Sequence, residues 1–441
     1  MTTSTQTLNL YDYLSRTFLL LLAVFLQVQI TLFASGDYLG LRLNSADFLL
    51  PGAGVFILGS LILKKSVWPQ WKKPFGYWAL ILLSAVIVLG ILNGYRIQGD
   101  WSTWAVLNKG LGWFVLMGYF MMAAWFAHNR AQDIRNWFLR PFVIFLCAVT
   151  IAEIFIRLLF IHSIIEYFTV FSALKVPELS GFMANRNAFA FLYLSTLIVS
   201  AIFLLKKISL HPIESVAFRL MWLLLPVFFV MNASRSSALI FVPLMLFLIV
   251  SNWRFFLKTI APLVLIGCLL LPLINKEGVS RQLRNYNTIT LLTDRDAQNG
   301  SFNNLYVGDQ ARLVIINDSL KLLKENPITG AGIGSVFKYQ NTLEDREFVA
   351  VIDNTALWVL AEMGPFGFIA FACVFFTMIV ALSKNQSGDD KFNDVFSHSL
   401  IYILIGFGFF SLFHEILYSR FLWVFLGLTL AHPIFKTRQD G

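Results

Sequence analysis

Apolar runs long enough to cross a bilayer recur along the whole chain, and no other feature restricts its fold as much. Membrane hydrocarbon is about 30 Å thick and an α-helix rises about 1.5 Å per residue, so about 20 apolar residues make one crossing. Runs of that kind fall at about 17–35, 48–63, 77–94, 110–127, 141–160, 188–205, 220–233, 236–251, 259–275, 355–382, 395–413 and 421–435. The expected fold is therefore an all-α polytopic membrane helix bundle of about twelve transmembrane helices.

Composition agrees. A chain of 441 residues with 57% hydrophobic and 13% charged residues is too apolar to keep a soluble surface wet. Its formal charge of +9 is dispersed between the apolar runs rather than gathered on one surface, so nucleic acid is not an expected partner. Cys147, Cys268 and Cys373 each sit inside an apolar run and read as packing residues, neither a disulfide framework nor a metal site. Only Arg16 precedes the first run, and no small-residue cleavage pattern follows it, which reads as an uncleaved first helix.

Short loops rich in Lys and Arg stay in the cytoplasm. With both termini placed inside, the cytoplasmic loops hold 17 of the 34 basic residues and the opposite short loops 8. The rest lie in residues 276–354, a long segment that goes to the non-cytoplasmic side between helices 9 and 10. The chain thus divides into a bundle of about nine spans over 1–275, a large loop over 276–354 and about three further spans over 355–441. Within the loop, Leu313, Ile316, Leu320 and Leu323 at spacings of three and four predict an amphipathic helix over about 310–325, with Asp309 as its cap and Pro327 after its end. No period of 20–50 residues repeats along the chain.

Several polar residues stand where lipid makes them expensive. Arg235, in Ser234-Arg235-Ser236, occupies a very short turn between two spans, as either an interface anchor or a guanidinium held for phosphate or carboxylate. Arg312, in the first turn of the loop helix, sits where free N–H groups also favour an anion. Asn185-Arg186-Asn187 is polar where a span enters the membrane, so protein or a wet cavity must cover it. Asp353-Asn354 stands where the loop re-enters, as a helix cap or a carboxylate base. His414-Glu415 closes the eleventh span with Arg420 soon after, and His414 reads as a satisfied interface histidine or an acid–base group. Glu153 and Arg157, four apart on the fifth span, predict a buried pair. The glycines of Thr329-Gly330-Ala331-Gly332-Ile333-Gly334 follow no strand and open no clear helix, which favours close packing or a turn over a dinucleotide fingerprint. Asp294-Arg295-Asp296 reads as a solvated loop pair.

These segments, in this order on this topology, resemble the bacterial O-antigen ligase and O-antigen polymerase superfamily, membrane glycosyltransferases that use undecaprenyl-diphosphate-linked glycans. Ser234-Arg235-Ser236 is similar to the family's Ser-Arg-small motif. Arg312 with Pro327, Gly330, Gly332 and Gly334 resembles its Arg…Pro-x-x-Gly-x-Gly pattern, and Asp353-Asn354 through Glu362, Gly364 and Gly367 resembles its His-Asn…Glu-x-Gly-x-x-Gly segment. The resemblance implies an inner-membrane enzyme with a large periplasmic loop, with Arg235 and Arg312 binding the donor diphosphate. Where the family's ligases carry the histidine thought to activate the acceptor, this chain has Asp353. That departure turns the expectation toward a surface-polysaccharide polymerase, ahead of a ligase acting on lipid A core or a protein O-oligosaccharyltransferase.

On that expectation Asp353 is the first candidate base and His414 the second. Asn185, Arg186, Asn354, Glu362 and Arg420 are supporting residues, and neither metal nor cofactor is required. The expected partners are the lipid-linked donor glycan, a glycan acceptor, membrane lipid and a chain-length regulator. A transporter or flippase for a lipid-linked saccharide is the rival of another class, though the internal repeats common in transporters are not evident.

Overall fold

The computed structural model describes residues 10–30, 43–67, 75–159, 179–183, 185–232, 234–271, 307–341, 354–384 and 391–434. In lipid a backbone N–H or C=O finds no water, so apolar runs satisfy those groups internally and become helices. The helices are α1 (Leu10–Phe25), α2 (Leu49–Ile62), α3 (Phe75–Gln98), α4 (Gly112–Ile134), α5 (Arg140–Leu159), α6 (Arg186–Leu205) and α7 (Pro212–Asn232). They continue as α8 (Arg235–Ser251), α9 (Ala261–Cys268), α10 (Val307–Glu325), α11 (Ser335–Asn341), α12 (Thr355–Lys384), α13 (Lys391–Phe410) and α14 (Arg420–Ile434). Apart from an antiparallel pairing of Gln29–Ile30 with Leu43–Asn44 and an isolated parallel bridge between Val28 and Phe182, the described chain is helix and turn.

Among the described residues, six helices are long and apolar enough to cross a membrane, or seven if the pair Ser236–Ser251 and Trp253–Cys268, bent by 103°, is one crossing. The sequence alone gives about twelve runs. Part of the difference is that Trp104–Phe155 is one run of 52 residues, which holds two of the expected spans. It carries π-helical turns at Trp104–Leu111 and Arg135–Leu139 and breaks its helical backbone at Arg130 (φ −141°, ψ 34°). The apolar helices Asp394–Phe410 and Arg420–Thr429 are shorter than a full crossing.

Two expected boundaries move. The first span, expected over 17–35, is instead α1, which ends at Phe25. Gln27 ends the apolar register: its buried amide donates to the carbonyls of Ala23 and Phe142, both at 2.9 Å, and the chain turns. Arg16 consequently lies inside α1, paired with Asp133 at 3.0 Å. The loop helix starts at Val307, so Asp309 falls within its first turn rather than before it.

α6 forms the centre of the bundle, with 83% of its residues in the membrane-length window buried. Tyr193 of α6 stacks on Phe228 of α7 at 3.9 Å and bonds the Met221 carbonyl at 2.6 Å. α14 packs along α4, with Trp113 edge-on to Trp423 at 5.1 Å, and α12 packs along α3. At one end, Arg130 pairs with Asp12 at 2.5 Å, Arg16 with Asp133, and Arg135 approaches Glu214 at 3.8 Å. Lys109 and the residues described next lie at the other end, about 36 Å away along α4 at 1.5 Å per residue.

Candidate active site

Three helix starts and one connection converge on His414. Asn185 caps α6, its side chain accepting the Asn187 N–H at 2.8 Å, and this seats Asn187 in the first turn. Ser234 caps α8 by accepting from the Ser237 N–H at 3.4 Å, which places Ser236 in that first turn. Asn354 caps α12 by accepting the Leu357 N–H at 2.9 Å, and its amide donates to the Leu412 carbonyl. Thr355 then donates to the His414 carbonyl from its hydroxyl at 3.1 Å and its N–H at 3.4 Å.

His414 is 7% exposed, and both ring nitrogens are engaged. Nδ1 lies 3.2 Å from the Asn187 amide, and Nε2 is hydrogen-bonded to the Ser236 hydroxyl. The Asn187 amide sets the tautomer. With its nitrogen toward Nδ1, Nε2 carries the hydrogen and donates it to Ser236. With its oxygen there, Nδ1 carries the hydrogen and Nε2 accepts from Ser236, the form in which Nε2 is a base.

The glycine segment after α10 docks beside this site, and a proline explains where. Pro365 has no N–H to give the Ala361 carbonyl four residues earlier, and Gly364 leaves helical geometry at φ 69°, ψ −177°. Residues 331 and 332 fill the gap: the Ala331 N–H donates to the Ala361 carbonyl at 3.0 Å and the Gly332 N–H to the Glu362 carbonyl at 2.8 Å. The Glu362 side chain, 1% exposed, then takes the Gly334 N–H at 3.0 Å, the Val336 N–H at 3.2 Å and the Trp358 indole at 2.7 Å. Glu362 is thus the anchor of the glycine segment, and that segment is a packing device rather than a nucleotide cradle.

Arg235 is the first residue of α8, directly before Ser236, and Arg312 lies in the first two turns of α10; the side chains of both, and all of Asp353, lie outside the described residues. Arg186 opens α6, and its carbonyl accepts from Asn232 at 3.0 Å. Arg420 makes a forked pair with Asp47, at 3.3 Å through Nε and 2.9 Å through a terminal nitrogen. Glu153 accepts the Ser180 N–H at 3.0 Å and the Gly181 N–H at 2.6 Å, which ties down the approach to α6; the Arg157 side chain and His162 are outside the described residues.

Ser236 and Asn187 appear in the sequence only as members of polar motifs, and Lys109 only as a loop charge. The structure gives all three a defined place. Lys109 is wholly buried and paired with Glu415, the neighbour of His414.

Membrane-length helices that gather polar side chains at one end define a polytopic helical membrane protein. Residues 220–372 match the family model described as O-antigen ligase, so this segment is similar to the O-antigen ligase and polymerase superfamily, whose members are of the membrane glycosyltransferase type. No curated protein matches the chain. The matched segment includes Ser234-Arg235-Ser236, Arg312, the glycine segment and Glu362, whereas Asn187 and His414 come from outside it.

Proposed function

We propose that this protein polymerises surface polysaccharide at the periplasmic face of the bacterial inner membrane, with both termini cytoplasmic. The hydroxyl of one glycan attacks the anomeric carbon of another glycan linked to undecaprenyl diphosphate. The new C–O bond forms as the bond to the diphosphate breaks, and the lipid diphosphate leaves with the electron pair. Arg235 and Arg312 stabilise the charge that grows on it, in a site where fixed cations need no reorganisation. Two guanidinium groups supply the positive charge that a divalent ion supplies elsewhere.

His414 is the base in this reading. The observation that carries it is the histidine ring held at both nitrogens, one of them by Ser236, the residue after Arg235. The acceptor hydroxyl takes the place of Ser236 at Nε2, and its proton passes there. Asp353 remains the candidate from the motif, and Glu362 serves as a structural anchor.

The ligase reading, with lipid A core as acceptor, is favoured by the description of the matched family. Asp353, where the family's ligases have histidine, favours the polymerase. Deletion of the gene followed by gel analysis of surface polysaccharide separates them: single repeats on lipid A core mean polymerase, and free lipid-linked polymer with bare core means ligase. For the site itself, Arg235→Ala and Arg312→Ala are expected to fold and to abolish glycan extension by purified protein in detergent. Normal-length polymer from both variants would refute the assignment. Extension without a second compartment also excludes a flippase.

A further inference from the structure

Among the described residues, Lys109 is the only fully buried lysine. Taking an ammonium out of water costs several kcal/mol unless it is paired and solvated by other groups. Here the compensation is elaborate. The Glu415 carboxylate forms an ion pair with it, and three rings surround the Nζ, with centroids at 4.3 Å for Trp358, 4.7 Å for Trp104 and 4.9 Å for Tyr418. Aromatic faces attract a cation, more strongly where water is excluded. The Tyr418 hydroxyl also bonds the Lys109 carbonyl at 2.8 Å, and Trp358 shares its indole N–H with Glu362.

A well-packed apolar residue in such a place is often neutral or stabilising, so stability alone does not account for the lysine. Its location does. Lys109 sits in the π-helical turn Trp104–Leu111, a deviation that recurs at functional sites. It faces the start of α12 and the connection 411–419, the two segments bonded together around His414. Its carboxylate partner is the residue next to His414.

We propose that Lys109 is a positioning residue: by holding Glu415 it fixes the backbone at residues 414 and 415, and with it the direction of the His414 ring against Ser236 and Asn187. This rests on the reading of His414 as the base. Because Lys109 acts through Glu415, its loss acts on the chemical step and leaves donor binding by the arginines in place.

The test uses the full-length protein in detergent with lipid-linked oligosaccharide, and measures kcat and donor KM on the monodisperse fraction. Misplacement of a reacting group by about 1 Å costs about a hundredfold, so Lys109→Met and Glu415→Gln should each lower kcat about tenfold to a hundredfold, with KM changed less than about threefold. The double variant should be no worse than either single, because both act through one contact. Wild-type kcat in the single variants, losses that multiply, or a loss confined to KM would overturn the proposal. Glu415→Gln is nearly isosteric and decides the matter alone if Lys109→Met does not fold. His414→Gln separates this inference from its premise. Full activity there refutes the base assignment, whereas an inactive His414→Gln beside a fully active Glu415→Gln refutes only the role of Lys109.

Discussion

Gly332→Ala tests the docking of the glycine segment most directly. Gly332 has φ +84°, in the left-handed region, and a Cβ there would overlap the backbone N and Cα of Gly94 on α3. Two costs combine. A left-handed conformation costs a residue with a Cβ about 1–2 kcal/mol, and overpacking a tight contact costs about 1–3 kcal/mol. The obstructing atoms are backbone, so no rotamer change relieves them, and the expected destabilisation is about 2–5 kcal/mol. Gly406→Ala is the control: nothing lies within 4 Å of its added Cβ, and the residue is inside α13. That change should be neutral or stabilising by up to about 1 kcal/mol. Thermal unfolding of both proteins in detergent, followed by the loss of the monodisperse peak, reads the difference. Glycan extension should fall in Gly332→Ala as well, since the segment ties α10, which carries Arg312, to α12. A Gly332→Ala protein that unfolds with the wild type, or a Gly406→Ala protein that falls as far, would refute the reasoning.

Arg420→Ala is expected to lower the unfolding temperature through a loss of about 3 kcal/mol, because it leaves the largely covered Asp47 carboxylate, 10% exposed, with only neutral donors from Tyr119 and Asn44. Arg420→Lys should recover only part of it, since one ammonium does not reproduce a fork, and an unchanged midpoint in Arg420→Ala would count against the pair as a structural element. Ser236→Ala, which removes a ring partner but no base, should reduce kcat less than about tenfold, whereas His414→Gln should reduce it about 10²–10⁴-fold. Equal losses from the two in steady-state extension assays would contradict the separation of roles.

The helical class was readable because lipid leaves a long apolar run only one way to satisfy its backbone. The buried face of α10 was not. Spacing singled out Leu313, Ile316, Leu320 and Leu323, yet the bundle receives Ile315, Asp318, Ser319 and Leu322, while Ile316 and Leu320 are 37% and 41% exposed. A hydrophobic stripe identifies core when water is the only alternative. Beside a membrane the alternative is lipid, and small or polar residues such as Ser319, bonded to the Ile315 carbonyl at 2.6 Å, then fit the protein contact. Charges misled in a related way. Lys109 and Arg420 at span borders look like topology markers, and only the fold brings Glu415 and Asp47 to them from far along the chain. The glycine segment, by contrast, was correctly read as packing, because no strand preceded it.

The two candidate bases are less independent than their positions suggest. Thr355 gives two hydrogen bonds to the His414 carbonyl and accepts one from the Ile416 N–H at 3.2 Å, and Asn354 donates to Leu412. The start of α12 and the connection 411–419 are therefore one welded unit, and Asp353 is the residue bonded to Asn354. In the reading proposed above, the histidine missing from the motif position is supplied across that weld, from a part of the chain the matched family segment does not cover. A histidine there is anchored by main-chain contacts and aimed by Asn187 and Ser236. On that reading the loop side brings Arg312, α6 brings Asn187, and α8 carries both Arg235 and Ser236, so donor binding and deprotonation share the start of α8 beside the start of α12.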